Sequence, residues 1–194
     1  MAIQVKRESI DTKARHVSPS YTDESGNQQL IGTDLPMPVI ATEVLRLRQG
    51  KSYSIGVVRD ETDPLIAGGS LDLAIAFASG VTPTISISGL CGGDAVGYLY
   101  EGATVSGGTS VPAFNMNRNS TSLSGSAILL EPTVSNTGTL LMKQLLLGGS
   151  GKKASGNNFD SLTAILKPLT TYLFRITNIN GTDHVAEIVL NWYE

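Results

Sequence analysis

The residues that could carry out chemistry are few and stand apart along the chain. Neither His16 nor His184 has a Cys, a carboxylate or a second His at a metal-ligand spacing, so no metal site is expected. The single cysteine, Cys91, lies in a Gly-Leu-Cys-Gly-Gly-Asp segment without a partner signature. It is expected to be a small apolar core residue rather than a nucleophile.

Two loops come closer to known ligand-binding motifs. Residues 148–153 (GGSGKK) resemble a phosphate loop, but Leu146 stands where its first glycine is required, and Lys153 where Ser or Thr is required. The acidic run 60–63 (DETD) lacks the carboxylate spacing and the glycine of a calcium loop. Both segments are therefore interpreted as solvated loops, and no cofactor is expected.

Paired carboxylates are the remaining route to catalysis. Glycoside hydrolysis needs two acids at a fixed separation in a cleft, and the sequence alone does not place Asp72, Glu101 or Glu131 in space. With no other catalytic signature in the chain, we expect that the protein is not an enzyme.

Composition favours a neutral, turn-rich β protein. The chain has 194 residues, of which 41% are apolar and only 16% charged, with 21 glycines and a net charge of −3. This charge gives no basic field for nucleic acid or for an anionic membrane surface. Lys6, Arg7 and Glu8 fall where an export signal needs an apolar run, and no 18 consecutive apolar residues occur, so neither export by that route nor a membrane span is expected. A lone Cys91 cannot form an internal disulfide, which fits synthesis in a reducing cytoplasm.

Hydrophobic alternation along the chain predicts a series of short β-strands. After Pro38 a period of two predicts about ten short strands, beginning with residues 39–48 and clearest in 71–77. Residues 139–147 (TLLMKQLLL) also fit a helical turn, but the flanking glycines favour a strand. Without intervening helices, this pattern indicates an antiparallel β-sandwich of jelly-roll type.

Residues 1–36 differ from the rest of the chain. Only 11 of these 36 residues are apolar, and no period persists, which predicts an extended N-terminal arm closed off by Pro36 and Pro38. The first 16 residues have four basic and two acidic side chains, whereas residues 17–194 have ten basic and fifteen acidic ones. We therefore divide the chain into an arm (1–36) and a β-sandwich domain (37–194), with a basic tip and an acidic body.

Two further groups of side chains stand out. Asn115, Asn117, Arg118 and Asn119 follow a predicted strand, and such side chains either satisfy their own loop or hydrogen-bond a neighbouring subunit. Trp192 is predicted to be buried and to hold the last strand against the core.

A glycan-binding site would need exposed aromatic rings near carboxylates or amides. The candidate rings, Tyr98, Tyr100 and Phe114, alternate within predicted strands and are expected to belong to the core.

Four ordered blocks carry a family resemblance. They are residues 100–106 (YEGATVS), 108–120 (GTSVPAFNMNRNS), 166–178 (LKPLTTYLFRITN) and 192–194 (WYE). They resemble a family of tailed-bacteriophage virion structural proteins over residues 96–194, with Met116 standing where that family commonly has Arg.

The resemblance implies a structural virion protein made in the host cytoplasm. The best fit is a capsid decoration or cement protein, a homotrimer on the head surface whose partners are the major capsid protein and copies of itself. The alternative is a tail, neck or fibre-base module, with host attachment through glycan. In the arm, the expected partner-binding residues are Ile3, Val5, Lys6, Arg7, Ile10, Lys13, Arg15, Leu30 and Ile31, and in the body they are Asn115, Asn117, Arg118 and Asn119.

Overall fold

Fifteen strands and one short helix make up the regular structure of the described residues. The structure is a computed structural model that describes residues 20–22, 28–30, 42–148 and 162–194. The elements in chain order are β1 (Ser20–Thr22), β2 (Gln28–Leu30), α1 (Thr42–Arg48), β3 (Ser52–Arg59), β4 (Ser70–Phe77), β5 (Thr84–Cys91), β6 (Ala95–Glu101), β7 (Thr104–Ser106), β8 (Thr109–Ser110), β9 (Phe114–Asn115), β10 (Ser126–Leu130), β11 (Thr133–Asn136), β12 (Thr139–Leu146), β13 (Leu162–Ile165), β14 (Thr171–Asn178) and β15 (Ala186–Tyr193).

The chain divides into two units, Met1–Ala41 and Thr42–Glu194. In the first unit, β1 and β2 form an antiparallel pair in which Ser20 lies opposite Leu30. The rest of the predicted arm lies outside the described residues. The second unit contains every other element.

Two large antiparallel sheets form the second unit, and both follow from the predicted alternation. One has the strand order β13-β5-β15-β3-β9, and the other has the order β12-β6-β14-β4-β10-β8. Four antiparallel strand pairs follow the order of one long hairpin, each pair lying inside the previous one along the chain. They are β3 with β15, β4 with β14, β5 with β13 and β6 with β12. Successive pairs lie in alternate sheets, which is the winding of a jelly roll.

The core lies between the inner faces of the two sheets. β4 shows why the sequence folds this way, because Leu71, Leu73, Ile75 and Phe77 all point inward and are fully or almost fully buried. Burying apolar side chains stabilises the sandwich by about 25 cal/mol per Å². Trp192, as predicted, belongs to this core.

A second, smaller cluster lies on the outer face of the six-stranded sheet. Ala74, Ala103 and Leu173 are buried there, with Val105 of β7 and Val134 of β11 packed against them. The β7–β11 pair is part of the segment between β6 and β12, at the closed end of the nested hairpin. This segment explains why outward positions of β4 and β14 are also apolar.

The prediction of a strand over residues 39–48 is wrong for Thr42–Arg48, which is helix α1, and residues 39–41 lie outside the described residues. Glu43 in its first turn and Arg46 and Arg48 in its last turn complement the helix dipole. Gly50, with a φ of 68°, ends the helix in a Schellman motif: its N–H and that of Lys51 donate to carbonyl oxygens of the last turn. No helix of the described ranges is long and apolar enough to cross a membrane.

Candidate interaction surfaces

Most of the arm residues predicted to bind partners lie outside the described residues. These are Ile3, Val5, Lys6, Arg7, Ile10, Lys13, Arg15 and Ile31. Leu30 is the last residue of β2, where its backbone pairs with Ser20. Their role in binding stays a prediction.

The asparagines of the loop that follows β9 hold that loop against the end of α1. The buried Asn115 amide donates to the carbonyl oxygens of Gly50 (2.8 Å) and Ser122 (3.0 Å). The Asn117 amide donates to the carbonyl oxygen of Arg48 over 3.0 Å. Its backbone N–H donates to Asn115 Oδ1, and the N–H of Asn119 donates to Asn117 Oδ1, so two Asx turns follow one another. Asn115 and Asn117 are thus used inside the chain.

The same loop presents a different set of side chains to solvent. Phe114 and Met116 are 47% and 43% exposed, and Arg118 and Asn119 are exposed beside them. The expectation that Phe114 belongs to the core is wrong, because β9 is a two-residue edge strand that pairs only with β3 among the described strands. An ordered loop therefore carries an aromatic ring, a thioether and a guanidinium outward.

Helix α1 extends this exposed set. Val44 and Leu47 are exposed on α1, whose carbonyl at Arg48 is bound by the Asn117 amide. We call Val44, Leu47, Phe114, Met116 and Arg118 the junction surface. Protein interfaces are enriched in aromatic residues, Met and Arg. The sequence alone did not show that Phe114 and Met116 are exposed, because their exposure depends on pairing between distant strands.

A second apolar region lies along β12, at the edge of the six-stranded sheet. Leu140, Leu141, Leu145 and Leu147 are each about half exposed. A β-bulge at residues 140–142 and the exposed Lys143 interrupt this strand. Bulges and lysines are devices that natural edge strands use against uncontrolled pairing.

The cysteine and the histidine of the described residues, Cys91 and His184, are held by the fold rather than arranged as a catalytic or metal site. Burial raises the pKa of the Cys91 thiol, which leaves little thiolate at neutral pH, and Cys91 lies in the core as predicted. The backbone of His184 pairs with Leu65, and its Nε2 lies 3.0 Å from Thr182 Oγ1. Across residues 42–148 and 162–194, no three His, Cys, Asp or Glu side chains come together as a metal site would require.

Each of the three carboxylates considered for hydrolysis is engaged in an ion pair. Asp72 accepts two hydrogen bonds from Arg175, at 2.6 and 2.5 Å, in a geometry that holds β4 to β14. Glu131 pairs with Arg59 over 3.1 Å, and Glu101 with Lys167 over 2.7 Å. All three acids therefore have structural partners.

Glu101 gives a testable dependence on pH. Hydrogen bonds from Lys167 and Tyr172 lower its pKa from the ordinary value. The carboxylate thus stabilises the fold above the unfolded pKa of about 4.3, and this contribution is lost as pH falls through the lower folded pKa. We expect Glu101→Gln to be less stable than the wild type at neutral pH, with the difference shrinking in acid.

Urea unfolding at a series of pH values measures this effect. Glu61→Gln, in the exposed acidic loop, is the matched control and is expected to change stability little at any pH. A destabilisation by Glu101→Gln that stays constant from neutral pH to below pH 4 or so would contradict the assignment.

Tyr98 and Tyr100 were expected in the core. They lie instead on the outer face of the six-stranded sheet. Their rings stack with centroids 5.7 Å apart, and Lys143 Nζ lies 5.7 Å from the Tyr98 centroid. Burial raises the pKa of Tyr100, which packs against the smaller cluster. Both side chains are half-buried.

Comparisons of the chain with protein-family models, with curated proteins and with solved structures gave no match.

Proposed function

We propose that this protein is a structural component of a tailed-bacteriophage virion, made in the host cytoplasm. Within the virion it is a capsid decoration protein that binds the major capsid protein and copies of itself, as a homotrimer on the outer surface of the head. Its role is to stabilise the head by binding, not by catalysis.

The junction surface carries this proposal. The loop and helix α1, which the Asn117 amide joins, expose Phe114, Met116, Val44 and Leu47, and exposed apolar patches often mark interaction sites. Here an aromatic ring, a Met and an Arg project from a loop that Asn115 and Asn117 hold in one conformation. A fixed loop loses little conformational entropy when it binds, which favours affinity. This combination suits a permanent protein–protein contact.

The resemblance supplies the class of partner. Its blocks contact one another in the fold: Glu101 of the first block accepts hydrogen bonds from Lys167 and Tyr172 of the third. The second block forms the loop of the junction surface. Met116, which stands in place of the family's Arg, adds apolar surface there. Three of the blocks thus contribute contacts or exposed surface in this chain, and they support the proposal of a virion protein.

A tail, neck or fibre-base module is the second candidate. It would use the same junction surface and differs only in the protein to which that surface binds. The location of the protein in the particle distinguishes the two.

Co-sedimentation with capsids that lack the protein tests the proposal. We expect the double variant Phe114→Ser/Met116→Ser to lose most of its capsid binding, because truncating central interface residues often costs more than 2 kcal/mol, or about thirtyfold in affinity. Both side chains are exposed, so the variant should melt near the wild type.

Ile179→Ser is the matched control for this experiment. Ile179 is 53% exposed and follows β14, at the end of the sandwich opposite the junction surface. It should bind capsids as the wild type does. Equal binding by the junction variant and the control would remove the main support for the proposal.

A further inference from the structure

A groove crosses the outer face of the five-stranded sheet, on the side away from the core. Its volume is about 350 Å³, within the range of small-ligand sites. It is lined by Glu43 of α1, Ser52 of β3, Thr163 of β13, three residues of β5 (Thr84, Ile85 and Ser86) and three of β15 (Asn191, Trp192 and Tyr193). Neither the junction surface nor the virion proposal uses this groove.

Strand register places a row of polar side chains along the groove. Asn191 lies opposite Ser86 across β15 and β5, and Ser86 lies opposite Thr163 across β5 and β13. In the adjoining row, Tyr193 lies opposite Thr84. Because side chains alternate along a strand, Asn191 and Tyr193 face outward while Trp192 between them faces the core.

These polar groups are available to a ligand. Asn191, Ser86, Thr84, Thr163 and Tyr193 take part in none of the side-chain hydrogen bonds found among residues 42–148 and 162–194. They offer one amide, three aliphatic hydroxyls and a phenol, which both donate and accept hydrogen bonds. The backbone that carries them belongs to paired strands, so their spacing along the groove is set by strand register.

The electrostatics of the groove restrict the ligand class. Glu43 is the one carboxylate in the described lining, and no Lys, Arg or His contributes to it. An anionic ligand would meet like charge without a compensating cation. A neutral ligand rich in hydroxyl groups would match the amide and hydroxyl row instead.

Tyr193 adds the apolar element that such a ligand needs. Its half-buried ring lies beside the polar row, with an apolar body and a polar tip. The C–H face of a sugar ring can pack on this surface while its hydroxyls reach Asn191 and Ser86. We infer that the groove is a binding site for a neutral saccharide, independent of whether the protein decorates a capsid.

Saturation-transfer NMR and calorimetry on the full chain test this inference. The probes are glucose, galactose, mannose, N-acetylglucosamine and lactose, with 3′-sialyllactose as the anionic probe, at up to about 10 mM to detect a Kd near 1 mM. We expect at least one neutral sugar to bind, and 3′-sialyllactose to bind more weakly than lactose.

Single-residue variants test whether the sugar binds in this groove. We expect Tyr193→Ala and Asn191→Ala each to weaken binding by about tenfold. Tyr98→Ala is the matched control, a half-buried tyrosine on the outer face of the opposite sheet, and should leave binding unchanged. Should Tyr193→Ala fail to fold, the exposed Asn191 still provides the test.

Three results would overturn the inference. They are no binding by any neutral probe, equal or tighter binding of 3′-sialyllactose, and loss of binding in Tyr98→Ala with retention in Tyr193→Ala and Asn191→Ala. None of them bears on capsid attachment, which is measured separately.

Discussion

Trp192→Ala is expected to lower the free energy of unfolding by about 3–5 kcal/mol, the usual cost of truncating a large buried aromatic residue. Trp192 is 2% exposed, and its ring stacks on Tyr53 at a centroid distance of 5.9 Å and meets Phe77 edge-on at 6.1 Å. Its Nε1–H also donates to Glu194 Oε1 over 3.1 Å. The substitution removes both ring contacts and leaves a cavity between the sheets.

Thermal and denaturant unfolding measure this loss. Tyr193→Ala is the matched control, because Tyr193 is the next residue on the same strand but faces outward, and its loss should be well below that of Trp192→Ala. A Trp192→Ala protein that unfolds like the wild type but fails to bind a partner would place Trp192 at an interface instead.

Deletion of residues 1–36 is expected to abolish most binding to undecorated capsids while leaving the melting temperature of the sandwich nearly unchanged. The segment has too few apolar residues for a core of its own, which predicts that a partner must supply the apolar contacts that it lacks. Fully extended, it would span on the order of 100 Å, enough to reach a neighbouring subunit. Ordering costs about 1–2 kcal/mol per residue, which burial of apolar residues such as Ile3, Val5 and Ile10 must offset.

Charge removal provides the graded control for the arm deletion. Replacing Lys6, Arg7, Lys13 and Arg15 together by Gln should weaken binding less than the deletion does, and mainly at low salt, since exposed charges are screened. Equal capsid occupancy for the deleted and full-length proteins would contradict a role of the arm in attachment.

The sandwich could be predicted from sequence because its strands alternate sharply. In β4 and β5 nearly every second residue is apolar, and a one-residue shift would turn those residues to solvent. The jelly-roll topology followed from short strands without intervening helices. The strand predicted at residues 139–147 is confirmed as β12, since its alternating face includes the buried Leu146.

Helix α1 was missed because its residues fit two periods. In Thr-Glu-Val-Leu-Arg-Leu-Arg, the leucines and arginines alternate as in a strand. Its favourable end charges and the Gly50 stop signal were present in the sequence, but they are weaker local cues than apparent alternation. The end charges and the Gly50 stop signal are both consistent with a helix. The hydrogen bonds of the Schellman motif then establish where that helix ends.

The surfaces were harder to predict because they are assembled from distant segments. In the groove, the registers of β5, β13 and β15 align Ser86, Thr163 and Asn191, and Glu43 is added by α1. Likewise, Phe114 alternates like a core residue, but β9 is too short and too peripheral to bury it. Register and edge position are properties of long-range pairing, which a local pattern does not contain.

A cryo-EM map of the particle shows directly whether this chain is a capsid-bound structural protein. We expect jelly-roll density in clusters of three on the outer surface of the head, with the junction surface containing Phe114 and Met116 against the capsid. Density confined to the tail, neck or fibre base would select the second candidate. A particle without this protein would show that the proposed function is wrong.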